Sequence, residues 1–309
     1  MKLKKTIISI LIVVMLLSVA GCSGSTKKPK NQLDGTFRTG SQGLVLKFVT
    51  GAPPPEVYEG DRMDASIEYV NKGAFDVTSG YIYLGGYDKN YLHFDRDMYS
   101  GISAKGKDEF NPDGNLINTA TFSLGSVNMP DNADIFPQTI KATACYKYRT
   151  YAIGKACIDP DPYGIGYAEK VCAMGPPQIS GSQGAPVAVT SVEAQTSRNR
   201  VQFKVNVGNV GGGTVIDNAA PITDCDSKLD RTQIDKIDIR AKFSDNEMKC
   251  EPSTIRLTGG NGFAICHWEG DLGREAYETL LNIELDYGYR SSISADVKIR
   301  RLPGKYTYG

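Results

Sequence analysis

A two-residue period, recurring along most of the chain, constrains what this sequence can fold into more than any other feature. In Met63-Asp-Ala-Ser-Ile-Glu-Tyr69, residues 63, 65, 67 and 69 are apolar or aromatic and their neighbours polar. Val201 to Val207 alternates in the same way. Ile237, Ile239, Ala241 and Phe243 alternate with Asp238, Arg240 and Lys242, and Leu281, Ile283, Leu285 and Tyr287 with Asn282, Glu284 and Asp286. Successive side chains of a strand point to opposite faces, so such segments bury one face and hydrate the other, as antiparallel strands do. Arg274 to Leu281 offers at most a turn or two of helix. The expected fold class is all-β.

The alternation is organised as a repeat. Val70-Asn71-Lys72-Gly73 ends one alternating strand, and Gly208-Asn209-Val210-Gly211 ends its counterpart 138 residues later. Tyr146-Lys147-Tyr148-Arg149 matches Tyr287-Gly288-Tyr289-Arg290 at an offset of 141. Each Tyr-x-Tyr-Arg has an alternating strand before it and another after it, Tyr151 to Ile158 and Ser291 to Ile299. Two matches in the same order at nearly equal offsets mark a tandem duplication. It places one domain at 44–172, a Gly/Pro-rich linker at 173–185, a second domain at 186–303 and a tail at 304–309. About seven short strands per ~120 residues, separated by turn signals, fit an immunoglobulin-like sandwich. The expectation is therefore two tandem immunoglobulin-like antiparallel β-sandwiches. Strand parity turns Tyr146 and Tyr148 inward with Ile140, Ala142 and Ala144, where each buried phenol needs a hydrogen-bond partner. The alternative is a pair of ring platforms for a sugar.

The N-terminus carries an address. Lys2, Lys4 and Lys5 precede an uncharged apolar run, Thr6 to Leu17, and then Ser18-Val19-Ala20-Gly21-Cys22. A basic start and an apolar run short of the ~20 residues that span a bilayer read as a secretory signal peptide. The Val-Ala-Gly-Cys ending resembles the lipobox of prokaryotic lipoproteins. The resemblance implies cleavage after Gly21, so that 1–21 is a signal peptide. It further implies diacylglycerol on the thiol of Cys22, with the mature chain anchored on the extracytoplasmic face of the cell membrane. Ser23 to Gly43 is polar and aperiodic and cannot bury enough surface to offset the entropy of ordering it, so 22–43 reads as a tether. The 35 Lys+Arg balance 35 Asp+Glu, and removal of the three leader lysines leaves 32 against 35. A chain without basic excess lacks the electrostatic footprint of a nucleic-acid binder.

Six cysteines remain after Cys22, an even number that reads as disulfides in an exported chain. Parity puts Cys145 and Cys157 on one outward face of what read as two adjacent strands, which pairs them. Their repeat equivalents, Asp286 and Lys298, would then oppose their charges across the same strands. Cys250 and Cys266 flank the Gly259-Gly260-Asn261-Gly262 turn and form a second pair. Cys172–Cys225 follows by elimination and ties the two domains together.

Catalytic chemistry is not legible. Nucleophilic catalysis needs a base within hydrogen-bond reach of Ser or Cys. The only imidazoles, His93 and His267, fall in different domains, with no Gly-x-Ser-x-Gly elbow. Gly259 to Gly262 lacks the Lys-Ser/Thr of a phosphate cradle, and Gly211-Gly212-Gly213 leads into a strand. The chain is read as a non-enzyme without catalytic residues and without a resident cofactor. Two acidic loops remain as calcium candidates: Asp159 and Asp161, on the proline-stiffened Ile158–Gly164 loop, and the set Asp88, Asp95 and Asp97 around Tyr91. Calcium takes six to eight oxygens, often from such loops, although Asp-Pro pairs are also ordinary turn formers.

The paired Asn-x-Gly turns resemble those of the CARDB family of cell-adhesion-related, immunoglobulin-like domains, in which the next strand, here Ser79 to Leu84, runs back across the sheet. The chain as a whole is similar to two-domain surface lipoproteins of archaea. These resemblances imply a binding or structural role in adhesion or envelope assembly. The implied partners are the membrane, through the anchor, and a protein or envelope polymer. An accessory subunit of a surface appendage or secretion machine is one alternative. An envelope-directed carbohydrate-active hydrolase is another.

Overall fold

The alternating segments all form strands, and they assemble into an all-β antiparallel sandwich. The computed structural model describes residues 37–161, 163, 170–179, 181–225 and 229–302. The signal peptide, Cys22, the tether up to residue 36 and the tail 304–309 lie outside the described residues. No helix among the described residues is long and apolar enough to cross a membrane.

The first half of the chain contributes β1 (Leu44–Phe48), β2 (Glu56–Tyr58), β3 (Met63–Asn71), β4 (Val77–Gly85), β5 (Met98–Ala104), β6 (Asn118–Leu124) and the 24-residue β7 (Ile135–Ile158). β8 (Gln178–Ile179) lies in the connector. The second half contributes β9 (Val187–Ser197), β10 (Arg200–Asn209), β11 (Thr214–Ile216), β12 (Lys236–Phe243), β13 (Asn246–Glu251), β14 (Thr254–Arg256) and β15 (Asn261–Glu269). It ends on β16 (Tyr277–Arg300), again 24 residues long. The one helical element among the described residues is a 3-10 turn at Ile222–Asp224. Arg274 to Leu281, which offered at most a turn or two of helix, forms none, and from Tyr277 onward it belongs to β16.

β1, β3 and β6 form a small sheet that covers one face of a larger one, whose order is β5-β4-β7-β16-β12-β13-β15-β10-β9. β13 is a corner strand: its first three residues pair with β12 and its last three with β15. Strands that switch sheets in this way make the corners of sandwiches. Trp268 of β15 accordingly packs edge-on against Phe243 of β12, ring centroids 5.2 Å apart. Ser79 to Leu84 lies in β4, opposite the sheet that holds β3 and beside β7, so it does not return within the sheet of the Asn-x-Gly strand. The alternating positions read as inward, Met63 to Tyr69, Val201 to Val207, Ile237 to Phe243 and Leu281 to Tyr287, are all buried. The inward residues of both halves merge into one core.

The two long strands pair with each other over their whole length, from Ile135 opposite Arg300 to Ile158 opposite Tyr277. At about 3.3 Å per residue each spans about 80 Å. Each half therefore completes its sheet on a strand of the other. β4-β7 continues onto Tyr289–Arg300 of β16, and β12-β16 continues onto Tyr148–Ile158 of β7. Most strands run 3–10 residues, which is why each Tyr-x-Tyr-Arg reads as a boundary between two strands. Here the motif sits in mid-strand, and the ladder runs through it.

This continuity overturns the Cys145–Cys157 pairing. Both residues lie on β7, twelve positions apart, hence separated by about 40 Å. The bonds formed are Cys145–Cys225, Cys157–Cys172 and Cys250–Cys266, with Cα separations of 6.3, 5.9 and 3.9 Å. The last joins directly opposed residues of β13 and β15, as the turn between them implies. The Cys172–Cys225 bond fails with the pairing it was deduced from, although a bond between the halves does exist at Cys145–Cys225. Asp286 and Lys298 likewise share one strand, and Asp286 takes Arg149 and Arg240 as its partners. Peptide mapping of the unreduced protein is expected to recover Cys145 linked to Cys225 and Cys157 linked to Cys172. A Cys145–Cys157 peptide would contradict a continuous β7.

Candidate functional site

The repeated motifs meet at the centre of the long ladder. Tyr146 lies opposite Tyr289, and Tyr148 opposite Tyr287, so the two Tyr-x-Tyr pairs face each other antiparallel and all four rings are buried. Neighbouring centroids are 5.6–6.3 Å apart in tilted and edge-on contacts, geometries worth about 0.5–1.5 kcal/mol each beyond the burial itself. The hydroxyls find equivalent partners in each half. Tyr148 donates to the Asn71 side-chain oxygen at 3.0 Å and accepts the Phe75 N–H. Tyr289 donates to that of Asn209 at 3.1 Å and accepts the Gly213 N–H at 2.7 Å. Tyr146 accepts the Leu44 N–H and Tyr287 the Val187 N–H, the first residues of β1 and β9. The Asn-x-Gly turns recur because each Asn holds a tyrosine of the ladder while its amide ties down its own turn, at Phe75 O and Gly213 O. The glycines recur because a Cβ on Gly73 would collide with the Tyr148 hydroxyl, and one on Gly211 would lie 2.6 Å from that of Tyr289. The inward register makes these tyrosines core residues, so they do not form ring platforms for a sugar.

Tyr148→Phe and Tyr289→Phe each keep the ring and remove the hydroxyl that joins an Asn side chain to a backbone N–H, that of Phe75 or of Gly213. Each is expected to cost about 1–3 kcal/mol in urea unfolding, and equal stability to wild type would show the Asn–Tyr bond to be dispensable. Burial pushes all four phenols above their ordinary 10.0, Tyr146 and Tyr287 furthest. The unfolded chain ionises these phenols near pH 10 and the folded chain does not. The stability they contribute is complete below pH 10 and is lost as pH rises beyond it. Ultraviolet difference titration should show these tyrosines ionising together, at the pH of alkaline unfolding. Stepwise ionisation in the folded protein would refute the buried cluster.

The outer face of the ladder carries a second, smaller core: Cys145, Ile216, Ala220 and Cys225, with Tyr83 and Leu229 against it. Here the segment after β11 folds over β4 and β7. Lys147 donates to Asn218 O and Ala220 O at 2.5 and 2.7 Å, Tyr83 to Thr223 O, and Arg290 to Cys225 O. Burial lowers the pKa of Lys147, and the carboxylates of Asp217 and Asp238 oppose that shift. Beside it, Arg149 and Arg240 share Asp286 and Glu284 across three strands. The Arg149 guanidinium stacks 5.7 Å over the rings of Phe75 and Tyr151. Arg38, within the stretch read as tether, lies over the Tyr151 ring at 5.6 Å from its centroid.

The calcium candidates are otherwise engaged. Asp159 is buried, with one oxygen 2.6 Å from Lys170 Nζ and the other accepting the Asp161 N–H. Lys170 also donates to Asp161 O. Asp88 caps its own turn at Asn90, Asp95 pairs with Arg96 and the Ser123 N–H, and Asp97 pairs with Lys89 and Tyr87. No group of three or more His, Cys, Asp or Glu side chains is gathered as a metal site among the described residues. His93 is exposed in a loop, and His267 sits on β15 opposite Gln202 and Lys249. A groove of about 180 Å³ lies between β1 and β16, lined by Leu44, Leu46, Tyr146, Pro186 and Tyr289 among others. It is smaller than the roughly 300–1,000 Å³ of small-molecule sites.

What stands out is the loop between β5 and β6. Phe110 is 96% exposed, Leu116 53% and Ile117 63%. The loop is nonetheless built. The Asp108 carboxylate accepts the N–H groups of Phe110 and Asn111, the Asn111 side chain accepts the Asn115 N–H, and Gly114 N–H closes on Asn111 O. Lys72, beside the Asn71 corner, braces it through Asp113 O and the Asn115 side chain. Phe110 and Leu116 thus flank a closed turn that holds apolar surface out to solvent. Sequence reasoning passed over this site. Its signal was three large apolar residues inside the turn-forming string Asp108 to Asn118.

No protein-family model and no curated protein matches the chain. Among solved structures it is similar to the alpha-2-macroglobulin of Escherichia coli activated by porcine elastase, at 11% identity and a TM-score of 0.19, over 84% of this chain and 32% of that one. It is also similar to the collagen adhesin of S. aureus, at 6% identity and a TM-score of 0.14, over 84% of this chain and 93% of that one. At these scores neither likeness bears on what the chain does.

Proposed function

We propose that this chain is a lipid-anchored, extracytoplasmic binding module without catalytic activity, in which two immunoglobulin-like sandwiches carry a contact loop for a protein or envelope polymer. The observation that carries the reading is the β5–β6 loop, whose hydrogen-bonded turn holds Phe110, Leu116 and Ile117 in water at an energetic cost. Exposed apolar surface on a rigid frame marks interaction sites, and loops positioned by a sandwich are a common place for them. The membrane address rests on the lipobox resemblance at Cys22.

Two experiments test the two parts separately. In pull-downs of envelope fractions, Phe110→Ser with Leu116→Ser is expected to weaken retention of the bound component by about 2 kcal/mol, roughly thirtyfold in affinity. Thermal melting should stay unchanged, because neither side chain is in the core. Retention equal to wild type would remove the loop from the binding surface. Cys22→Ser is expected to move the protein from the membrane to the soluble fraction, and a variant that still sediments with membranes would refute the lipid anchor.

A further inference from the structure

We propose that two copies of this chain exchange halves across the β7–β16 ladder, giving a dimer in which each sandwich body joins the first half of one copy to the second half of the other. The halves are complementary parts of one object. Every residue pair of the ladder, both tyrosine pairs and the Arg149–Asp286 bond join a group of the first half to a group of the second. Each is satisfied equally well by a second copy. Exchange of identical elements is a low-cost route to dimers, since no new contact has to be evolved, and repeat proteins are prone to it as they fold.

The connection between the halves permits this. Cys157–Cys172 pins the chain as far as residue 172 to the first half. The hinge is then the stretch from 173 to 182, ahead of the buried Gln183–Pro186, and its ten residues reach at most about 36 Å when extended. It includes Gly175, Pro176, Pro177 and Gly181. β8 pairs through two residues with Gly154 and Lys155 of β7, and beyond the stretch the chain is fastened to both halves, Gly184 O accepting the Ala74 N–H and Pro186 O the N–H groups of Val210 and Gly211.

One covalent bond records the choice. Cys250–Cys266 lies within the second half, and Cys157–Cys172 stays with the first half and its connector. Cys145–Cys225 alone joins the halves. In the monomer it closes within one chain. In the exchanged dimer the same two sulfurs belong to different chains, and oxidation of the two thiols by a disulfide oxidant, reduced in turn, makes the dimer covalent.

The test uses the whole mature chain, with isotope-labelled and unlabelled copies mixed, reduced and unfolded. The mixture is refolded at increasing protein concentration in an oxidising glutathione buffer. Light scattering is expected to show a dimer fraction that grows with concentration. Non-reducing electrophoresis should show that dimer as covalent, and mass spectrometry should find Cys145–Cys225 peptides pairing a labelled with an unlabelled chain. Cys145→Ser with Cys225→Ser should leave a dimer in light scattering that falls apart in denaturing electrophoresis. Deleting Gln178–Gly181, which shortens the hinge, should raise the dimer fraction. Monomer alone at every concentration would overturn the proposal. So would a dimer whose Cys145–Cys225 peptides never mix labels.

Discussion

Twenty-four consecutive residue pairs between β7 and β16 are the contact on which both halves of this molecule depend. Without its partner strand, β7 would leave the first sheet open along a row of unpaired backbone groups, and β16 would do the same to the second; such bare edges invite association. The tyrosine cluster lies at the middle of this ladder. From there its hydroxyls reach the start of β1, the start of β9 and both Asn-x-Gly turns, so the ladder also fixes where the covering sheets begin. The pairing is of long range, with more than a hundred residues separating the partners, and contacts of that kind form slowly because the loop must close before they are gained. Cys145–Cys225 closes an 80-residue loop, which in the chain-entropy account restricts the unfolded chain by about 4.5 kcal/mol.

The two faces of the ladder solve different problems. The inner face is aromatic, and polar tips in it are tolerated because each one has a partner. The outer face alternates Cys145, Lys147 and Arg149 against Asp286, Gly288 and Arg290, and so cannot be left simply apolar or simply wet. Part of it is capped by the 216–225 segment, with Lys147 binding the carbonyls of the cap. Part is neutralised by Arg240 and Arg149 against two carboxylates. Gly288 is the gap in this row that lets Ile216 approach, since an added Cβ would lie 3.0 Å from that of Ile216. A face treated in this way is structural.

The all-β class and the inward positions were legible because both are local or periodic properties. Alternation in Met63–Tyr69 reports burial of one face whatever that face meets. The motifs that recur at offsets of 138 and 141 residues are joined within each half by a Tyr–Asn hydrogen bond. Cys250–Cys266 was legible too, since the Gly259–Gly262 turn brings its flanking strands together. The Cys145 and Cys157 assignments failed for the converse reason. They required knowing that Tyr151 continues the strand of Tyr146, and nothing local separates a strand that bends back at Tyr-Lys-Tyr-Arg from one that runs on.

By itself, then, the sequence determined the period and the inward-facing tyrosines, each carried by residue types and spacings within a few positions. Only the tertiary structure decided that the two halves complete each other's sheets. It also decided that Asn71 and Asn209 serve tyrosines 77 and 80 residues away, that Cys145 finds Cys225, and that Asp159 belongs to Lys170. The physical reason is that hydrogen-bonded pairing between strands is set by which edges are left open once every other element has packed. That is a property of the assembled sheets and leaves no mark on any one segment.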